Sequence, residues 1–237
     1  MPLEQSAVRN RLLALLEPKD FAQIVSYLEP IELPQGFQIS RHDQPIEYGY
    51  FMDSGIGSAV AVSPENHKAE AGMIGREGLL PVALVLGCGS APYDCVVQVA
   101  GYGHRITQSA LAEILASNQT IRTLFLRFAH TLLVQGSYTA LSNATHHVEE
   151  RLARWLLMCH DRAEGSTIAL THEFLSIMLA VRRPSVTTAL HVLEGNHFIN
   201  SERGLITIRN RGAMEVFASN AYGIPERAYH KTIGDMR

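Results

Sequence analysis

Residues 170–208 constrain the fold of this chain more than any other stretch, because signals with different physical causes fall there in one consistent order. Thr171 can cap a helix that carries Glu173 in its first turn, where negative charge meets unpaired amides, and Leu175, Met178 and Leu179 share one face. Ala180-Val181-Arg182 reads as a short turn with room for two helices to cross closely. A second helix is predicted with Pro184 in its first turn, where a missing amide costs nothing, and with Val186, Ala189, Leu190 and Leu193 as its buried face. Gly195-Asn196 ends it. Phe198-Ile199-Asn200, the polar turn Ser201-Glu202-Arg203-Gly204 and Leu205-Ile206-Thr207-Ile208 then form a hairpin. Two helices, a tight turn and a hairpin in this order make a winged helix-turn-helix.

In such a module the second helix lies in the major groove and its N-terminal residues meet base edges. Arg182 and Arg183 stand at that end, and Ser185, Thr187 and Thr188 lie on the same open face. An arginine fork pairs with O6 and N7 of guanine. The hydroxyls of Thr171, Ser185 and Thr188, together with His172 and the wing's Arg203, suit the phosphate backbone. Double-stranded DNA is therefore the expected partner. The net charge of −3 does not suggest it, but the charge is uneven. Residues 1–145 hold nine basic against thirteen acidic side chains, while residues 170–212 hold five, all arginine, against three.

The rest of the 237-residue chain is folded in character, at 46% hydrophobic and 18% charged residues. It has no apolar run long enough for a membrane span and no apolar signal core at its start, so a cytoplasmic protein with no membrane contact is expected. Cys88, Cys95 and Cys159 are too few and too scattered for a disulfide framework or a zinc site, and read as reduced, mostly buried thiols. Val8 to Leu28 has helical spacing broken at Pro18, which predicts two short helices. From Ile31 to Ile106 short apolar or alternating runs are separated by Gly, Pro, Asn and Asp, the pattern of an antiparallel β-roll or jelly roll. Within it Gly75-Arg76-Glu77-Gly78 reads as a turn feeding a short helix, a place where backbone amides could face an anionic effector.

One long helix is predicted from about Gln108 to about Asn143. Ile121, Phe125, Phe128, Leu132, Gln135 and Thr139 step along it as a heptad seam, and Leu126, Ala129, Leu133 and Ala140 form a second stripe. A helix with two apolar stripes must be covered twice, inside one chain or by one face on the chain's own roll and the other on a second subunit. The second arrangement is the economical one, and the Ile121, Phe125, Phe128, Leu132 seam is assigned to a homodimer. Val148 to His160 is a further amphipathic helix, and Ala163-Glu164-Gly165-Ser166 a boundary before the last module. The expected class is α+β: a sensing roll with flanking helices over 1–117, a dimerisation helix over 118–145, the winged helix-turn-helix over 146–213 and a C-terminal tail over 214–237.

Eleven histidines raise the question of metal chemistry. No His-x-His, His-Glu-x-x-His or nucleophile-elbow spacing is present, so no enzyme, no metal site and no cofactor is expected. His42, His67, His104 and Cys95 are the residue types a haem would need, yet lone histidines are more often ordinary polar residues.

The order of parts resembles the Crp/Fnr family of bacterial transcription regulators over nearly the whole chain. The likeness is strongest from Leu170-Thr171-His172-Glu173 through Arg182-Arg183-Pro184-Ser185-Val186 to Leu193-Glu194, then Phe198-Ile199 and Arg203-Gly204. Leu33-Pro34-Gln35-Gly36 and Gly49 to Gly55 resemble the β-roll of cyclic-nucleotide-binding domains. The resemblance implies a homodimer that reads a palindromic operator and works with RNA polymerase. It puts Arg183 in the place of the family's base-reading arginine, with Pro184 and Thr188 replacing its usual Glu and second Arg. Cyclic AMP is not the implied effector: where the family's phosphate-binding arginine falls, Ser90 to Cys95 offers Asp94 instead. Nor does a cluster-binding cysteine group occur in residues 1–87. The effector is an unknown small molecule or none. The alternative is a cyclic-nucleotide-binding-like module that regulates a partner protein.

Overall fold

The structure, a computed structural model, describes residues 3–236. It opens with α1 (Arg11–Ala14), whose cap is the buried Asn10 side chain accepting from the Leu13 amide, and α2 (Pro18–Ile24), begun by Pro18. These are the two short helices expected around that proline. Eight strands follow: β1 (Glu29–Leu33), β2 (Gln38–Ser40), β3 (Tyr48–Met52), β4 (Ile56–Val62), β5 (Lys68–Ile74), β6 (Leu79–Leu80), β7 (Tyr93–Val99) and β8 (Gly101–Thr107). They pair antiparallel in two four-stranded sheets, ordered β1-β8-β3-β6 and β2-β7-β4-β5. Phe51, Met52, Leu79, Leu80, Val97 and Ile106 fill the interior, as the short alternating runs require.

The predicted long helix is two helices. α3 (Gln108–Ser117) stops where Asn118 turns extended, and that side chain accepts from the Thr120 and Ile121 amides to start α4 (Gln119–Thr145). Capping by Asn therefore wins over the apolar periodicity that runs through the break.

The seam assigned to the dimer needs correction. Ile121, Phe125 and Phe128 are fully buried against the chain's own roll, with Leu132 packed beside them. Phe51 and Phe125 meet at 5.8 Å between ring centroids, and the Phe128 ring lies where a side chain on Gly78 would have to go. Gln135 fastens the same face to the sheet, accepting from the Met73 amide at 2.7 Å and donating to its carbonyl at 3.0 Å. The stripe assigned to a second subunit is thus the one that the chain itself covers. The face left open carries Leu126 and Leu133, the latter 68% exposed, with Ala140 exposed further along.

α5 (Val148–Arg162) leads into the last third: β9 (Thr167–Ala169), α6 (His172–Met178), α7 (Arg183–Gly195), β10 (Ile199–Glu202), β11 (Leu205–Ile208), α8 (Arg211–Ala218) and α9 (Ile224–Thr232). Trp155, Leu156, Leu175, Val186, Leu190 and Met214 form its core, and the roll adds Ile56, Val60 and Met73 to it. The segment after 213, read from sequence as a tail, is helical: α8 packs on α5, and α9 returns to α4.

Candidate nucleic-acid interface

The helix-turn-helix forms where the local signals place it. Thr171 accepts from the Phe174 amide through its hydroxyl and caps α6, and Glu173 lies in the first helical turn. Arg182 is the extended residue before α7, and Pro184 occupies its first turn. One face of α7 buries Val186, Ala189, Leu190 and Leu193. The other leaves Arg182, Arg183, Pro184 and Thr188 exposed, with Ser185 and Thr187 half-buried. The wing is β10 paired antiparallel with β11, and β9 adds a third strand on the far side of β11. Gly204 makes the turn beside the exposed Arg203 at φ +77°, the left-handed region that glycine enters without strain. Thr171, His172, His191 and Arg203 border a groove of about 700 Å³ between the start of α6, the flank of α7 and the wing.

Side-chain contacts on this surface are partly new. Arg183 Nη2 lies 2.6 Å from a Glu173 carboxylate oxygen, a pair that joins the two helices at their open ends. His172 Nδ1 approaches Thr187 Oγ1 at 3.3 Å, while the Thr187 and Thr188 hydroxyls donate to the carbonyls one turn back. In the sequence Glu173 is marked only as a first-turn acid; its spacing of ten residues from Arg183 gives no periodic signal.

Ala180, in the turn between the helices, sits at φ +50°. A methyl group is disfavoured there, so Ala180→Gly is expected to stabilise the protein by about 1 kcal/mol in urea unfolding, through relief of backbone strain. Unchanged or lower stability would mean that the turn carries no strain.

The turn proposed for an effector is closed in this structure. Glu77 is buried and pairs with the equally buried Arg162 of α5 at 2.6 Å, and its other oxygen accepts from the Gly75 amide. Burial works against the Arg162 charge, but Glu77, Asp161 and Glu226 outweigh it and hold the guanidinium protonated more firmly than usual. Phe128 covers Gly78, Arg162 covers Gly75, and Tyr229 of α9 donates to the Glu77 carbonyl at 2.8 Å. Arg76 takes part through its backbone, its carbonyl accepting from the Arg11 amide. The remaining cavity, about 10 Å³, has room for one water. Gly75, Arg76, Glu77 and Gly78 thus form a packed junction of roll, α4, α5 and α9 rather than an open mouth.

Two further acids of the roll are held by several donors each. Asp94 accepts from the His42 amide and lies 2.8 Å from its ring Nδ1; despite partial burial these contacts hold its carboxyl below the usual range. Glu70 of β5 is buried between the roll and α5, where it accepts from Ser58, Gln98 and Trp155. Burial raises its pKa in spite of those donors.

A β-roll is thus joined by a long helix to an open-faced winged helix-turn-helix. A profile of the Crp-like helix-turn-helix domain matches residues 150–217. FixK2 from Bradyrhizobium japonicum has a similar structure, at TM-score 0.69 and 16% identity over 83% of this chain and 98% of that one. The c-di-GMP-responsive global regulator CLP of Xanthomonas campestris compares at 0.61 and 13%, over 81% and 99%. A CRP-family transcriptional regulator from Thermus thermophilus compares at 0.64 and 16%, over 79% and 96%. No curated protein sequence matches the chain. The chain carries a Crp-like helix-turn-helix domain and has the fold of Crp/Fnr transcription regulators.

Proposed function

We propose that this protein is a homodimeric regulator that reads an inverted-repeat operator through α7, with Arg183 on a guanine in each half-site. The observation that carries the reading is the exposure of Arg182, Arg183 and Thr188 along the open face of α7, beside a wing tipped by Arg203. Thr171, His172, Ser185 and Thr187 take backbone or neighbouring contacts around that centre. The regulator acts on RNA polymerase in the cytoplasm. Cyclic AMP is not its effector, because Asp94 would face the phosphate and the Glu77 turn is filled from within. A mobility-shift series over increasing salt tests the DNA reading. Specific and random duplexes should both weaken with salt along a steep log–log line, the specific one remaining tighter by about a thousandfold or more. Equal affinity for all duplexes, or none, would contradict it.

The dimer is held by the open stripe of α4. Leu133→Glu places a charge at the centre of that stripe without touching the protomer's core, so, apart from the stabilisation that dimerisation itself contributes, unfolding should change by no more than about 0.5 kcal/mol. Sedimentation should show a monomer at micromolar concentration, with affinity for a full operator reduced to that of a single half-site. A dimer that survives this substitution would place the interface elsewhere.

A further inference from the structure

We propose that Glu173 is a specificity-determining residue of the DNA surface, a role that rests on the DNA reading above: by holding Arg183, it turns an arginine that any phosphate would attract into one that prefers a guanine edge. Its basis is the contact of Arg183 Nη2 with the Glu173 carboxylate at 2.6 Å, with both side chains well exposed at 60% and 68%.

An acid is a costly choice on a face meant for a polyanion. At about 4 Å in water a carboxylate and a phosphate repel by about 1 kcal/mol, and more where the surface displaces solvent. The first turn of α6 does explain why an acid suits the helix, since its free amides favour negative charge. That role needs no contact with α7, however, and Thr171 already caps the helix. What the pair changes is the chemistry of Arg183. An unpaired guanidinium at the head of a recognition helix binds phosphates in any register, the main source of non-specific affinity. Beside a carboxylate its charge is offset, so phosphates lose most of the attraction. The O6 and N7 edge of guanine is neutral overall and meets the fork by geometry, so it loses little. The exposed ion pair gives little stability of its own, so its exchange for a base contact is nearly free.

The test measures full-length wild type, Glu173→Gln and Glu173→Asp on the selected operator and on random duplex, across a salt series. Glu173→Gln should bind random duplex about five- to tenfold more tightly, the effect of removing about 1 kcal/mol or slightly more of repulsion. Its affinity for the operator should be nearly unchanged, so the specificity ratio falls by the same factor. Glu173→Asp keeps the charge but retracts it by one methylene from Arg183. It should also lose specificity, by relaxing the preference at the guanine position without the gain on random duplex. An equal gain on both duplexes in Glu173→Gln would show a simple charge effect and overturn the proposal, as would a Glu173→Asp protein of wild-type specificity. If wild type itself selects no sequence, the DNA reading fails rather than the role of Glu173. Thermal melting of each variant confirms that α6 remains folded, so a change in binding reports on the surface.

Discussion

Arg162→Met is expected to lower the unfolding free energy by about 3–5 kcal/mol, because it leaves the Glu77 carboxylate buried without its cation. Arg162 also donates to the Met158 carbonyl, and its aliphatic part covers Gly75, so methionine keeps most of the packing and isolates the charge. Glu77→Gln in the same protein should recover much of the loss, since an amide can stay buried with one hydrogen bond to the Gly75 amide. Urea unfolding of the two single variants and the double variant gives the coupling. Additive losses would show that the pair does not join the roll to α5. The same cycle reports on the junction as a whole: Glu77 lies in the roll, Arg162 ends α5 and Tyr229 comes from α9, so a weakened pair should also loosen the helix-turn-helix from the roll.

Arg183→Ala is expected to cost about 1–3 kcal/mol of operator affinity per half-site, roughly ten- to a hundredfold, while random duplex loses far less. Sequence preference should relax at one base position in each half-site and stay intact at the others. A uniform loss on every duplex would make Arg183 a phosphate contact. Stability should hardly change, since Arg183 is exposed and its one ion pair lies on the surface.

These two arginines lie in parts of the chain that differ in how legible they are from sequence. The helix-turn-helix can be read because each of its signals is local: a Thr cap, a first-turn Pro, an apolar face of period 3.6 and a Gly at the wing tip. The β-roll is legible as a class from its punctuation, though not its strand order, which depends on pairings such as Glu29 with Arg105 that no local rule encodes. Periodicity finds both stripes of α4 but carries no direction, so it assigns Phe128 to a partner when Gly78 of the same chain receives it. The break at Asn118 is hidden because apolar spacing continues across it; the clue is an Asn able to cap. The reading of a tail from 214 overlooks two helices, α8, which Asn210 caps just before that boundary and which runs across it, and α9, with Pro225 in its first turn. Pairs such as Glu77 with Arg162 lie 85 residues apart and are fixed only by the packing of α5 on the roll.

If a dimer of this chain reads an inverted repeat, as proposed, selection from a random duplex pool should recover that repeat. Two recognition helices related by a two-fold axis should enrich half-sites about one helical turn apart, roughly 10–10.5 base pairs centre to centre, each with a guanine whose preference vanishes in Arg183→Ala. A pool that stays random after repeated rounds, or that converges on a single unrepeated site unaffected by Arg183→Ala, would contradict the account.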